Sequence, residues 1–223
     1  MRKPKFTIKI AGAEHVKFAE QICEEMASSA KARGTGIARR KPEYIEKKML
    51  EGKAVIALTR TGFWAGFCYI ETWGHGNYVA NSGLIVAPAF RKSGLATDIK
   101  KKIFELSRTK YPDSKIFGLT TGLAVMKINS DLGYEPVTYS ELTDDDQFWK
   151  GCQSCVNYEI LMSKDRKNCL CTAMLYDPVE KAKAKPANKL WDFAKQSKIY
   201  ERLLRLKEYV FLEKNKTIKN GQK

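Results

Sequence analysis

The sequence predicts a mixed α/β domain, a central twisted sheet of about seven strands with helices on its faces and a helical extension at the C-terminal end. Three observations carry this. Strand-length apolar runs rich in Val, Ile and aromatic residues alternate with longer stretches whose apolar residues recur at helical spacing. Gly-bearing turns separate them, as at Arg60-Thr61-Gly62 and Gly74-His75-Gly76-Asn77. Residues 84–106 also switch abruptly from one period to the other. Leu84, Ile85 and Val86 form an apolar run, and Pro88, which cannot donate to a sheet ladder, ends it. From Leu95 onward Leu95, Ile99, Ile103 and Leu106 fall on one helical face, with Lys100, Lys101 and Lys102 largely on another.

Taken in order, residues 6–10 alternate as a first strand, and residues 13–32 form a helix with Val16, Ala19, Ile22, Cys23 and Met26 as its apolar stripe. A loop over 33–40 follows, then a short helix from Pro42, a residue suited to the first helical turn. Residues 53–59 and 63–73 are strands joined by a tight hairpin, and 78–86 is the strand that leads into Pro88. The helix from Leu95 ends near Tyr111-Pro112-Asp113. A strand over 115–121, a helix over 124–132 closed by Gly133, an extended segment over 135–142 and a last strand over 171–176 complete the domain. The expected organisation is one domain over 1–178, with a Cys-rich insert at 144–171, and a basic linker and helix over 179–223.

At 223 residues the chain can bury a sizeable core, and its 43% hydrophobic and 29% charged residues are ordinary for a globular protein. No apolar run approaches the ~18 residues that span a bilayer, and Met1-Arg2-Lys3-Pro4-Lys5 lacks the apolar stretch of a signal peptide, so a cytoplasmic location without membrane contact is expected. There the cysteines are thiols or metal ligands. The net charge of +15 is concentrated in 181–223, where 13 Lys and Arg stand against 4 Asp and Glu. A basic tail on a near-balanced body argues against nucleic acid as the main partner.

The chemistry concentrates at the turn after Val86. Gly94 admits close approach to the main chain, the first amides of the helix from Leu95 point outward with the positive end of its dipole, and Arg91 and Lys92 add charge: a cradle for a phosphate or diphosphate. Val86, Pro88, Phe90, Arg91, Gly94 and Ala96 fill every defined position of the string Val-x-Pro-x-Tyr/Phe-Arg-x-x-Gly-x-Gly/Ala. That string resembles the acyl-CoA-binding motif of the GNAT superfamily of N-acetyltransferases, and the element order over about residues 5–178 is similar to the GNAT fold. More loosely, part of the chain resembles the amino-acid N-acyltransferases of bacterial arginine biosynthesis.

The resemblance implies an enzyme that moves an acetyl or other short acyl group from acyl-CoA to a primary amine by direct attack on the thioester. It implies that the pantetheine pairs with main-chain groups of Leu84, Ile85 and Val86, and that the diphosphate sits on Arg91, Lys92, Ser93, Gly94, Leu95, Ala96 and Thr97. Where many members carry a tyrosine acid on the second-to-last helix, this sequence has Asn129, which can hydrogen-bond the sulfur or pantetheine but cannot give it a proton. Asn81 and Ser82 stand where a carboxylate base might be. Glu71 and His75, at the end of the preceding strand, are the candidate bases acting through water, and solvated surface groups are the plainer reading of both.

The loop carrying Arg33, Arg39 and Arg40, with Trp73, is the candidate acceptor site. Arginines clamp carboxylates bidentately, which points to an acidic amino acid, whereas a flexible basic loop is the alternative. Cys152, Cys155, Cys169 and Cys171 have the spacing for a tetrathiolate structural zinc, against which stand buried thiols or a redox pair. A helix over 188–213 carries too many apolar residues to stay in water, so it is expected to dock on the body or on a second subunit of a homodimer. The rival functions are a protein-lysine N-acetyltransferase, which needs an open peptide groove, and a non-enzymatic nucleic-acid-binding module using the zinc and the tail.

Overall fold

The computed structural model describes residues 5–34 and 39–183. Its strands are β1 (Phe6–Ile10), β2 (Ala54–Thr59), β3 (Trp64–Trp73), β4 (Tyr78–Val86), β5 (Lys115–Thr120), β6 (Glu135–Val137) and β7 (Thr172–Tyr176). They form one seven-stranded sheet in the order β1-β2-β3-β4-β5-β7-β6. All neighbours are antiparallel except β4 and β5. The parallel pair is the one joined through a long helix, as a same-sense crossover requires.

That crossover helix, α3 (Leu95–Lys110), buries Leu95, Ile99, Ile103 and Leu106 on one sheet face against Val55, Cys68, Ile70, Val79 and Ile116. On the other face α1 (Ala19–Arg33) and α2 (Pro42–Leu50) bury Ile22, Met26, Ile45 and Met49 against Ile56, Phe67, Tyr69 and Ile85. The interior strand β2 is therefore apolar on both faces, Ala54 to Ala57 being fully buried. α4 (Leu123–Asp131) follows β5, and Gly133, at φ +88, turns the chain out of it into β6.

Three expectations shift. The helix expected over 13–32 begins as a tight 3₁₀ stretch, Ala13–Phe18, in which the buried His15 accepts the Gly12 amide at 2.9 Å, and becomes α-helical only at Ala19. The extended segment expected over 135–142 stops at Val137, because Glu141 reaches back to accept the Thr138 amide at 2.9 Å and folds Tyr139–Glu141 into a turn. The Cys-rich insert holds two short helices that the sequence reading missed, α5 (Asp146–Lys150) and α6 (Tyr158–Ser163). Asp145 caps the first by accepting the Gln147 amide at 2.9 Å. Their Trp149 and Leu161 pack with Tyr139, Leu142, Phe117 and Leu175 in a third core.

The chain divides into two units, Met1–Val179 and Glu180–Lys223. Beyond α7 (Pro178–Lys183), the expected helix over 188–213 and its dimer contact lie outside the described residues. Among the described residues no helix is long and apolar enough to cross a membrane.

Candidate active site

β4 and β5 pair only from Tyr78–Lys115 to Ala80–Phe117. Beyond that point β5 keeps its pairing with β7 on its other edge, and β4 continues along β3. The two strands splay, and a cleft of about 720 Å³ opens between the free edge of β4, residues 81–86, and a wall formed by β5 and α4 through Gly118, Thr120, Val125 and Asn129. A bulge shapes the free edge. Phe67 faces Ile85 but Tyr69 faces Ser82, so β4 holds one residue more than β3 over this step. Gly83 sits in that step at φ +63, with the Tyr69 ring and the Met26 methyl so close that any side chain would collide with them.

Main-chain direction follows from the ladder. The Ala87 amide donates to the Ala65 carbonyl at 2.9 Å, so by the alternation of a strand Ile85 turns its main-chain groups to β3, and Leu84 and Val86 turn theirs into the cleft. Leu84 and Val86 thus present main-chain groups to the cleft. Ile85 does not: its main chain is engaged with β3 and its side chain is buried in the core.

At the mouth of the cleft, Lys92 (φ +60) and Gly94 (φ +85) take left-handed conformations that wind the chain into α3. The Thr97 amide closes back on the Gly94 carbonyl at 2.9 Å, and the amides of Leu95 and Ala96 are left over by the helix ladder. These outward donors, with the exposed Lys92 and Ser93, make an anion-binding concavity. Leu95 contributes only its amide, since its side chain is buried. Arg91 lines the cleft and is already bonded. Its guanidinium donates to Glu25 at 2.7 Å, Ser29 at 2.6 Å and the Val86 carbonyl at 3.2 Å, tying the turn to α1.

On the other side of β4 lies a buried polar cluster. The Glu71 carboxylate is 4% exposed and one of its oxygens accepts from Arg40 at 3.0 Å and from the Tyr44 hydroxyl at 2.5 Å. Arg40 also donates to the Tyr69 hydroxyl at 3.2 Å. Burial, with the Glu71 charge beside them, pushes the Tyr44 and Tyr69 hydroxyls well above their usual range, so both stay protonated and serve as donors. Glu71, Arg40 and Trp73 line the cleft together, with Phe148 set edge-on to Trp73 at 5.7 Å.

The structure does not bring the remaining expected residues to this place. His75 is exposed on a left-handed turn (φ 55) at the paired end of β4, outside the cleft lining. Arg39 is exposed and its amide donates to Ser154 at 3.2 Å. The Arg33 side chain lies outside the described residues; of the expected clamp the described residues place Arg40 at the cleft, already bonded. Asn129 is in place. It is 1% exposed, lines the cleft, donates weakly to the Met174 sulfur at 3.7 Å and leaves its carbonyl oxygen unpartnered.

Cys152, Cys155, Cys169 and Cys171 line one small cavity with Tyr139, Trp149 and Leu161. Among the described residues no three His, Cys, Asp or Glu side chains come together as a metal-holding group, so the structural zinc has no support here. Burial pushes the Cys152 thiol up to about 11 and that of Cys171 to about 12, which keeps them neutral.

The sequence reading missed Lys100, set with Lys101 and Lys102 largely on the face away from the apolar stripe. It is 2% exposed, lines the cleft and donates to the Asn81 side-chain oxygen at 3.3 Å. Asn81 also accepts from Tyr134 at 3.0 Å and donates to Ser107 at 2.8 Å. The signal was present: Ala96, Lys100, Ile103 and Ser107 share one helical stripe bordering the core.

No protein-family model matches the chain, and no curated protein does. Solved structures do. N-acetylglutamate synthase from Neisseria gonorrhoeae, complexed with coenzyme A and N-acetyl-glutamate, superposes with a TM-score of 0.55 at 15% identity. The match covers 79% of this chain and 36% of the synthase, so the chain spans about a third of that enzyme's length. A GNAT-family acetyltransferase from Staphylococcus aureus gives 0.56 at 13% identity, over 78% of this chain and 99% of the other. A Mycobacterium tuberculosis protein in complex with CoA gives 0.54 at 13%, over 77% and 98%. The fold is GNAT-like. The strand order, the parallel β4–β5 pair and its splay are features of that fold in this chain.

Proposed function

We propose that this protein is an acyl-CoA-dependent N-acyltransferase acting on a primary amine of a small metabolite. One observation carries the reading: the β4–β5 splay opens directly onto the outward amides of Leu95 and Ala96, so one continuous cleft offers an anion site at its mouth and unpaired strand edge along its length. A diphosphate on a flexible amide-bearing arm matches both parts. The GNAT-like fold, with coenzyme A bound in structures that share it, agrees.

The transfer would be direct. The amine attacks the thioester carbon, the C–S bond breaks as the tetrahedral intermediate collapses, and the proton leaves with the coenzyme thiol. Main-chain N–H groups of Leu84 or Val86, which face the cleft, are the donors for the oxyanion. Glu71 accepts the amine proton through water, and the free oxygen of the Asn129 amide accepts an N–H of the pantetheine. No cysteine nucleophile is needed, and the neutral, apolar thiols of the insert suit none.

For the acceptor, an acidic amino acid is supported by Arg40 and by the synthase structure that holds N-acetyl-glutamate. Arg40 has five N–H donors, so those not engaged by Glu71, Tyr69 and the main chain can meet a carboxylate. Thiol release from acetyl-CoA against a panel of amino acids and amines tests this. Turnover with glutamate or aspartate, and a raised KM for them in Arg40→Met, supports the assignment. Release only with neutral or cationic amines would refute the acidic acceptor, and no release with any amine would refute the transferase.

A further inference from the structure

Lys100 is a buried cation without a counter-ion. Its contacts are the neutral Asn81 amide at 3.3 Å and the Tyr134 ring, whose centroid is 5.1 Å from Nζ. No carboxylate among the described residues pairs with it, and the nearby Cys68 thiol, pushed up to about 11 by its own burial, brings no negative charge at neutral pH. Burial brings the lysine down to about 8, which still leaves it largely charged at neutral pH. Buried charges in folded proteins are paired, and one left unpaired in the wall of a ligand cleft marks where the ligand supplies the partner.

Its place in the cleft says which part of the ligand. Asn81 is the first residue beyond the last β4–β5 pair, so the lysine stands where the strands converge. The mouth lies at Val86 and the start of α3, five residues of strand away, about 17 Å. A carrier held by its diphosphate at Leu95 and Ala96, with its arm along the free edge of β4, presents its acyl group at the Asn81 end.

We propose that Lys100 selects acyl groups ending in a carboxylate, the mono-CoA thioesters of dicarboxylic acids, whose free carboxylate it pairs. This rests on the acyl-CoA reading above and specifies the acyl chain. Equilibrium binding of succinyl-CoA, acetyl-CoA and free CoA to the full chain and to Lys100→Met and Lys100→Arg tests it without turnover. The native chain should bind succinyl-CoA at least about tenfold more tightly than acetyl-CoA. Lys100→Met should erase that preference while keeping acetyl-CoA affinity, and Lys100→Arg should retain it. Equal affinities in the native chain overturn the proposal whether or not the variants fold, and so does a preference that survives Lys100→Met. Absence of binding by all three ligands would remove the acyl-CoA reading as well; tight CoA binding without discrimination would remove the role of Lys100 alone.

Discussion

Gly83 shows how much of the site depends on single residues. Its left-handed backbone makes the β4 bulge, and a methyl group there meets Tyr69 and Met26. Gly83→Ala is expected to cost about 2–4 kcal/mol of stability in urea unfolding, from strain and overpacking together. A change under about 0.5 kcal/mol would mean that the bulge relaxes freely. Lys100 makes a prediction of opposite character. Its folded value of about 8 lies below the unfolded 10.5, so between these the unfolded chain binds more protons and stability rises with pH. The penalty for burying the charge is complete below pH 8 and relieved above 10.5. Relative to Lys100→Met, the native chain should gain on the order of 3 kcal/mol across that window. Parallel unfolding curves across it would contradict the buried, unpaired charge. The Arg40–Glu71 pair is similar in kind: Arg40→Met alone strands a carboxylate and should cost about 2–3 kcal/mol, part of which Glu71→Leu restores in the double variant.

At the scale of elements, α3 has two tasks that the sequence displays unequally. Its apolar stripe and its glycine-marked start were legible because period and turn chemistry are local properties. Gly94 meets nothing within 4 Å, so a substitution there is limited by φ +85 and not by space. Gly94→Val should therefore leave the fold cooperative, at about 1–2 kcal/mol, and weaken CoA binding about tenfold or more by turning the first amides. Calorimetry showing native affinity would separate the turn from the binding. The row Lys100, Lys101, Lys102 falls largely off the apolar stripe, and only the fold shows that Lys100 alone turns inward to Asn81. Arg91 shows a related limit: the motif names the residue, but its partners Glu25 and Ser29 lie on α1, more than sixty positions away. Of the arginine loop the described residues place Arg40 at the cleft, and the four cysteines line one cavity without forming a metal-holding group among the described residues, arrangements set by tertiary packing and not by spacing in the sequence.

For the whole molecule, the order of strands and helices was readable since each element keeps its own period and the connections are short. What was not readable is the insert between β6 and β7, whose short helices get their stability from packing Trp149 and Leu161 onto Phe117 and Tyr139. Among the described residues, those lining the cleft lie between Arg40 and Cys171. A chain ending at Lys183 should bind CoA within about twofold of the full one, whereas loss of binding would assign the basic tail a part in the site. The account stands or falls on where the coenzyme lies. A crystal structure with CoA should place the diphosphate within hydrogen-bond reach of the Leu95 and Ala96 amides and the pantetheine along β4 beside Leu84 and Val86. Coenzyme bound on another surface, with that strand edge empty, would contradict it.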